Sequence, residues 1–367
     1  MTVGAKKMWD FYNQVPNAKI HQQEFWLMEP TLERWKNEGH INDTTDLSEL
    51  FGFDDPGRYL LSALGWCESH FSPAFPVKVL EDRGEHELIQ DHVGRSVFVF
   101  KGRRTGFMPE YVDHPVKTIE DFKEKIAFRM DFNTPDRQAH AKAQVADAKK
   151  HHDEKGWAIC NNMIGGYMYL RSLMGPEGAL YLFYDNPDLI HLAMEKWFEL
   201  SDKISELMQN EIEFDEVFFA EDICYKAGSL ISPDMIREFL FPYYKKLLDN
   251  MKKRQKKDFI FQLDTDGDCR SMIPLYQEIG MTYMSPFEVA SNCDVVEIRK
   301  QYPNLLMRGG FDKRILATTK DAIDKEVDRI MPFMTKFGGY IPSVDHGTPM
   351  EVSFENYMHY RKRMLEF

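Results

Sequence analysis

The sequence lacks the features of several common protein classes. It contains no apolar run of about 18 residues that could cross a membrane, and its first residues include no apolar segment of a secretory signal. Basic residues are in deficit, since 46 Lys and Arg against 59 Asp and Glu give a net charge of −13. Phosphate binding needs a basic surface. We therefore expect a protein that binds neither membranes nor nucleic acids.

Cysteine is scarce, and several motifs are missing. The five cysteines form no CxxC pair, which argues against a disulfide framework and against a zinc ribbon. We therefore expect a cytoplasmic protein in a reducing compartment. The chain has no GxGxxG or GxxxxGKS/T turn for phosphate binding, and no HxH or HExxH pattern of a metal-dependent hydrolase.

What the chain does contain is apolar material in a regular order. Hydrophobic residues make up 43% of the sequence, which is enough for a packed core. After about residue 115, strand-like runs alternate with helix-like segments, at 157–166, 216–222, 259–268, 281–288, 305–312 and 339–349. One helix between successive strands requires parallel pairing with right-handed crossovers. Because the glycine-rich turn of an open doubly wound sheet is absent, this order predicts an α/β fold, a single (β/α)8 TIM barrel.

The first part of the chain has a different pattern. Residues 18–39, 46–50 and 56–64 are interpreted as helical and loop pieces, and residues 75–107 as a β-hairpin or meander with glycines at its turns. We predict that residues 1–114 form an N-terminal helical and β-hairpin elaboration. It would pack on a barrel body of residues 115–367, and the whole would be one structural domain.

Acidic residues follow five successive predicted strands. In a TIM barrel the carboxyl ends of the strands face the active site. Any one of these acids could instead cap the helix that follows it. The positions are Glu221 and Asp222, then Asp264, Asp266 and Asp268, then Glu288, then Asp312, and finally Asp345 with His346.

Two chemical uses fit such a cluster. Carboxylates that converge with one imidazole can bind a divalent cation. They can also hold a proton at a raised pKa and deliver it to a leaving group. Our candidate catalytic residues are Glu221, Asp264, Asp266 and His346, and the last three are also the candidate metal ligands. The candidate residues for an aromatic pocket are Phe107, Tyr111, Tyr167, Tyr225, Phe287 and Phe311.

Several segments resemble a known family. They are QLDTDGD, SPFEV, LMRGGFDKRIL and GGYIPSVDHGTPMEVSFENYMHY, supported by PTLERWKNEG and AEDICYKAGSLISPDMIREFLFPYYKKLL. Together they are similar to the uroporphyrinogen decarboxylase superfamily, best to its branch with cobalamin-dependent methyltransferases. The resemblance runs from about residue 20 to 360. It implies one (β/α)8 barrel with the active site at the carboxyl ends of the strands.

The resemblance also separates the chemistries within the branch. True uroporphyrinogen decarboxylase has an arginine-rich N-terminal segment of the RQAGR type, whereas the nearest basic cluster here is at 101–104. Thiol-directed methyltransferases bind zinc through His-x-Cys and a later Cys. The matching positions here are Asp264, Asp266 and His346, which offer no thiolate and suit a soft metal poorly.

What remains resembles the methyltransferase component of a corrinoid-dependent O-demethylase system. It would move a methyl group from an aryl methyl ether, or a similar small donor, to cobalamin carried by a corrinoid-binding protein. A divalent metal such as zinc could assist, and a homodimer is compatible with the sequence. The candidate substrate-binding residues are Asp222, Tyr225, Phe287, Glu288, Arg308 and Asp312.

Two alternatives stay open at this point. One is a decarboxylase of a small carboxylated substrate, in which Arg308 would anchor a carboxylate. The other is a non-catalytic or metal-binding barrel that docks a partner.

Overall fold

The structure is a computed structural model, and it describes residues 1–102 and 109–367. Phe107 and the arginines of the 101–104 cluster lie outside the described residues.

The strands and helices of the described residues alternate along most of the chain. The strands are β1 (Arg58–Leu64), β2 (Lys78–Arg83), β3 (His86–Gln90), β4 (Ser96–Phe100), β5 (Glu110–Asp113), β6 (Ala158–Ile164), β7 (Glu216–Ala220), β8 (Cys224–Tyr225), β9 (Gly228–Ser229), β10 (Ile260–Asp264), β11 (Tyr283–Ser285), β12 (Leu306–Arg308) and β13 (Tyr340–Ile341). The helices are α1 (Val3–Tyr12), α2 (Glu29–Asn37), α3 (Leu47–Phe51), α4 (Ile119–Asp121), α5 (Pro135–Lys155), α6 (Gly166–Met174), α7 (Pro176–Asp185), α8 (Pro187–Gln209), α9 (Pro233–Met235), α10 (Phe241–Arg254), α11 (Met272–Gln277), α12 (Val295–Gln301), α13 (Lys313–Leu316), α14 (Lys320–Phe337) and α15 (Phe354–Met364). Two π-helical turns (Phe122–Ile126, Ile236–Leu240) and two 3-10 turns (Ala127–Met130, Val289–Ser291) complete them.

A parallel sheet forms the centre of the molecule. Its order is β1-β6-β7-β10-β11-β12-β13, and every neighbouring pair is parallel. Strands that follow one another along the chain are therefore neighbours, and helices cover the outside, as the TIM-barrel prediction requires. An isolated parallel bridge joins Leu27 to Thr348, so the extended segment before α2 lies beside the chain that follows β13. The fold is a (β/α)8 barrel, which confirms the predicted class.

The N-terminal part contributes more to the barrel than we predicted. The interpretation of residues 56–64 as helix and loop is wrong, because β1 lies there and pairs with β6 through Arg58 and Ala158. Residues 1–114 therefore supply a strand of the central sheet as well as an elaboration. The predicted hairpin is confirmed, since β2, β3, β4 and β5 form an antiparallel sheet. The boundary between the N-terminal elaboration and the barrel body stays a prediction.

Capping residues explain where the helices begin, and their apolar faces explain how they pack on the sheet. In α8, Asn186 accepts a hydrogen bond from the Leu189 N–H group, and the buried side of the helix includes Trp197. Trp197 packs edge-on against Phe219 of β7, with ring centroids 5.8 Å apart. Among residues 1–102 and 109–367, no helix has both the length and the apolar character needed to span a membrane.

Candidate active site

The alternation of side chains along β7 decides which acids reach the barrel interior. Glu216 faces inward, where Arg58 donates to both of its carboxylate oxygens at 2.6 and 2.8 Å. Phe219 faces outward and packs on Trp197. Because a strand repeats every two residues, Glu221, directly after β7, keeps the outward face of Phe219, whereas the backbone leaves the strand conformation at Asp222.

Glu221 therefore lies between the sheet and the helices, and its catalytic role stays a prediction. Its carboxylate is fully buried between the sheet and the helices, where Tyr244 and Tyr276 donate to Oε1 at 2.5 and 2.8 Å. Burial raises the pKa of Glu221 to about 7. A Cβ atom at Gly165 would lie 1.8 Å from its Oε2, so the close approach of the chain here requires glycine.

Asp264 ends β10 on the inward face. The Ser285 hydroxyl donates to Asp264 Oδ2 at 2.5 Å, and Gln262 Nε2 donates to the Ser285 hydroxyl at 2.7 Å. Burial raises the pKa of Asp264 to about 7, the Ser285 hydrogen bond opposes this, and the charges of Asp266 and Asp222 add to it. Its carboxyl group can therefore hold a proton near neutral pH and lose it in a reaction.

Asp222 and Asp266 bring further charge to the same end of the barrel. Asp222 has a left-handed φ of +42° and forms an ion pair with Arg171 of α6. Burial raises the pKa of Asp222, and Asp266 raises it further. Asp266 Oδ2 lies 3.5 Å from His346 Nε2. The structure thus brings together Asp222, Asp264, Asp266 and His346, which the sequence placed on three different strand ends.

Aromatic rings line one side of this acid cluster. The His346 ring lies edge-on to Trp26 with centroids 4.3 Å apart and is stacked on Phe25 at 6.0 Å. Trp26 is 37% exposed, and Trp66, which follows β1, is 50% exposed. The rings of Trp26 and Phe25 thus form an apolar surface against His346.

The other residues that we predicted to bind substrate make contacts with neighbouring loops, helices or the core. Glu288 accepts a hydrogen bond from the Gly267 N–H group at 2.9 Å and so braces the loop that carries Asp266. Asp312 caps α13 and pairs with Arg314, as the capping alternative predicted. Phe287 is fully buried in the main core, and Phe311 is 3% exposed. Both rings therefore pack in the core, and their role in a pocket stays a prediction.

Tyr225 lies on the short β8–β9 hairpin and is 48% exposed. Its carbonyl oxygen accepts the Asp268 N–H group at 2.9 Å, so its main-chain contact supports the loop after β10. The side chain is placed at the rim of the barrel rather than inside it.

Arg308 ends β12 on the inward face. Its Nη2 donates to the Glu24 carbonyl oxygen at 3.2 Å, and its guanidinium lies over the Phe25 ring at 5.2 Å. The Nε atom is buried without a hydrogen-bond partner, and no ion pair of Arg308 with a carboxylate occurs among the described residues. Burial lowers the pKa of Arg308.

Sequence reasoning missed several residues of the site. Arg171 pairs with Asp222, Ser285 holds Asp264, and Cys67 follows β1 nearby. Burial raises the pKa of the Cys67 thiol to about 12, and the charges of Asp222 and Asp264 raise it further. Cys67 could have been found only by recognising β1 as a strand.

The predicted metal ligands do not fit a metal centre. Over the part of the chain that the structure describes, no three His, Cys, Asp or Glu side chains are grouped as ligands. Asp264 is held by Ser285 instead, and only the contact between Asp266 and His346 joins members of the predicted set.

Fold and site together define an α/β barrel enzyme class with acids at the carboxyl ends of its strands. Residues 104–366 match the family Uroporphyrinogen decarboxylase (URO-D). The chain belongs to this family, which confirms the resemblance that the sequence motifs indicated.

Comparison with solved structures supports the same fold. A methyltransferase from Methanosarcina mazei is 15% identical with a TM-score of 0.60, and the match covers 100% of this chain and 99% of that chain. Xylanase B from Clostridium stercorarium F9 is 11% identical with a TM-score of 0.33, covering 57% of this chain and 72% of that chain. At 15% identity the similarity to the methyltransferase concerns the fold alone. No curated protein sequence matches the chain.

Proposed function

We propose that the protein is a methyltransferase that moves a methyl group from an aryl methyl ether, or a similar donor, to the cobalt of a corrinoid-binding partner. Family membership and the name of the Methanosarcina mazei structure support a methyltransferase. The observation that carries the proposal is the position of Asp264, which ends β10 on the inward face and accepts from the Ser285 hydroxyl, where burial raises its pKa to about 7.

Ether cleavage needs such a group because an alkoxide or phenoxide leaves poorly. In the proposed step, the electron pair of cobalt(I) forms a bond to the methyl carbon while the carbon–oxygen bond breaks. The electron pair of that bond stays on oxygen, which takes the proton of Asp264. Water then returns a proton to the carboxylate. Proton transfer of this kind contributes typically about 10²–10⁴-fold to a rate.

The surroundings of Asp264 suit this role. Burial, together with the negative charges of Asp266 and Asp222, raises the pKa of Asp264 to about 7, so that part of the protein carries this proton at neutral pH. The Ser285 hydroxyl fixes the orientation of the carboxyl group. The rings of Trp26 and Phe25 offer apolar surface for an aryl group beside His346.

The direct test mixes the protein with a reduced corrinoid protein and a panel of methoxyarenes. We expect the cobalt(I) absorption to disappear with one equivalent of phenol formed per methyl group transferred. A panel that leaves the cobalt spectrum unchanged for every donor, compared with a reaction without enzyme, would contradict the proposal.

A decarboxylase is the second candidate, and two observations favour it. The family is named for a decarboxylation, and the Arg308 guanidinium, which forms no ion pair with a carboxylate in the part of the chain that the structure describes, is available to a carboxylate of the substrate. Release of carbon dioxide from the carboxylated members of the same panel, without demethylation, would replace the first proposal by this one.

His346 gives a sharp mutational test of the site. We expect His346→Ala to lower the methyl-transfer rate by at least about 10²-fold, because the imidazole contacts Asp266 and forms part of the aromatic wall. His346 is 37% exposed, so the free energy of unfolding should change by less than about 1 kcal/mol. Initial rates and chemical denaturation measure the two effects.

His359 provides the matched control, since it also pairs with an aspartate, Asp324, at 2.9 Å, but on α15. His359→Ala should keep the wild-type rate. Equal losses of rate in the two variants would show that His346 has only a structural role.

A further inference from the structure

A chain of hydrogen bonds runs through the barrel interior from Arg58 to Asp264. Arg58 Nη1 donates to Gln262 Oε1 at 3.2 Å, and Gln262 Nε2 donates to the Ser285 hydroxyl oxygen at 2.7 Å. That hydroxyl in turn donates to Asp264 Oδ2 at 2.5 Å. Gln262 and Asp264 share one face of β10, and Ser285 of β11 pairs with Asp264 in the strand register. Gln262 and Ser285 are both buried, so the chain is shielded from water.

The first member of this chain fixes the direction of every donation that follows. A guanidinium has donors and no acceptor, so the oxygen of the Gln262 amide must face Arg58 and its NH2 group must face Ser285. The Ser285 oxygen accepts from that NH2 group. Its own hydrogen then has one side-chain acceptor in the described part of the chain, Asp264 Oδ2. Oδ2 is therefore held as an acceptor.

The two carboxyl oxygens of Asp264 consequently have different surroundings. The hydrogen of the Ser285 hydroxyl occupies the place beside Oδ2 that a proton on Oδ2 would need. Oδ1 has no hydrogen-bond partner among residues 1–102 and 109–367, and it is not one of the side-chain atoms that are buried without a partner. Oδ1 is therefore open to the barrel interior, and a neutral carboxyl group has one O–H donor to place there.

We propose that Gln262 is a positioning residue, which turns the Ser285 hydroxyl toward Asp264 Oδ2 and so keeps the acidic proton of Asp264 on Oδ1. That this proton goes to an ether oxygen rests on the proposed function, whereas its place on Oδ1 follows from the hydrogen bonds. As the O–H bond at Oδ1 breaks, its electron pair stays on Oδ1 and the leaving oxygen gains the proton. Oδ2 accepts from Ser285 throughout, so no side chain has to rotate during the transfer.

Neutron diffraction locates the proton directly and needs neither corrinoid nor methyl donor. Deuterium-exchanged crystals of the full-length protein would be grown below pH 7, the approximate pKa to which burial raises Asp264. We expect a deuterium atom on Oδ1 and the deuterium atom of the Ser285 hydroxyl directed at Oδ2. A deuterium atom on Oδ2, or a Gln262 amide whose oxygen faces Ser285, would overturn the proposal.

Infrared spectroscopy tests the role of Gln262. The C=O stretching band of protonated Asp264 is the band that Asp264→Asn lacks, which separates it from the band of Glu221, whose pKa burial also raises to about 7. Gln262→Met should move the Asp264 band to higher wavenumber, because a Ser285 hydroxyl without its amide donor is a weaker donor to Oδ2. Ser285→Ala should move the band further. The double variant should match Ser285→Ala alone, because Gln262 acts through Ser285.

Gln22 provides the matched control. It is also a buried amide that accepts from an arginine, Arg361 Nη2 at 2.9 Å, and it donates to the Met364 carbonyl oxygen at 2.8 Å. Gln22→Met should leave the Asp264 band and the methyl-transfer rate unchanged. Gln262→Met should lower kcat by about twofold to tenfold without a change in KM, which is the effect of one weakened hydrogen bond.

Three spectroscopic results would overturn the role of Gln262. They are a wild type without a carboxyl band that Asp264→Asn removes, a Gln262→Met variant with an unchanged band, and a double variant in which the two shifts add. If Ser285→Ala fails to fold by circular dichroism, Ser285→Cys supplies a weaker donor and should shift the band in the same direction. The expected band shifts combined with an inert cobalt spectrum would retain the proton placement and remove the proposed function.

Discussion

Asp264→Asn is expected to slow methyl transfer by about 10²–10⁴-fold while the protein remains folded. Asparagine can still accept the hydrogen bond from Ser285, so the geometry at the end of β10 is preserved. It has no proton to give to the ether oxygen, and the phenoxide must then leave unassisted. Single-turnover kinetics at the cobalt absorption band would measure the loss, and a donor with an acidic phenol as leaving group should suffer a smaller one.

The pH profile separates this role from a purely structural one. The acid must be protonated to act, so the wild-type rate should fall as the pH rises through about 7, the pKa to which burial raises Asp264. The residual rate of Asp264→Asn should lack this fall. Asp268→Asn is the matched control four residues further on, where the carboxylate pairs with Arg270. An Asp264→Asn variant that keeps the wild-type rate and profile would remove Asp264 from the mechanism.

The barrel was predictable because the same pattern of an apolar strand and a helical segment repeats along the sequence. Each of six apolar runs was followed by a helical segment, and the right-handed rule for such crossovers then leaves few topologies. The first strand, β1, escaped prediction because a short apolar run does not distinguish strand from helix. Its conformation is decided by pairing with β6, about a hundred residues further along the chain, which no local pattern contains.

The acid cluster was predicted only in part. The rule that strands deliver their carboxyl ends to one face of a barrel correctly gathered Asp264, Asp266 and His346. It could not separate Glu221 from Asp222, since both follow the same strand. Strand parity assigns Glu221 to the outward face of Phe219, but Asp222 lies beyond β7 at a left-handed φ that no strand pattern predicts.

Other members of the site depend on contacts that only the folded chain shows. Arg171 reaches Asp222 from a helix 51 residues earlier in the sequence, and Trp26 reaches His346 from the opposite end of the chain. Neither residue carries a local pattern that differs from an ordinary surface arginine or core tryptophan. Charge balance at Arg308 is likewise visible only when the partners of each neighbouring carboxylate are known.

Arg58→Met should destabilise the protein more than any other single change considered, by about 3–5 kcal/mol. The Glu216 side chain is fully buried, and Arg58 supplies its charge-balancing donors inside the barrel. Removal of the guanidinium leaves a carboxylate that retains the Tyr12 hydroxyl but no cation. Urea denaturation monitored by tryptophan fluorescence would report the free energy of unfolding.

The double variant Arg58→Met with Glu216→Gln identifies the cause of that loss. If the unpaired charge is responsible, the neutral glutamine should recover a large part of the stability, because the buried carboxylate is gone while Tyr12 can still donate to the amide oxygen. Arg237→Met breaks an exposed pair with Glu278 and should cost no more than about 1 kcal/mol. A double variant as unstable as Arg58→Met alone would instead assign the loss to packing around the arginine stem, and the Arg58–Glu216 pair would then hold the first strand of the barrel by shape rather than by charge.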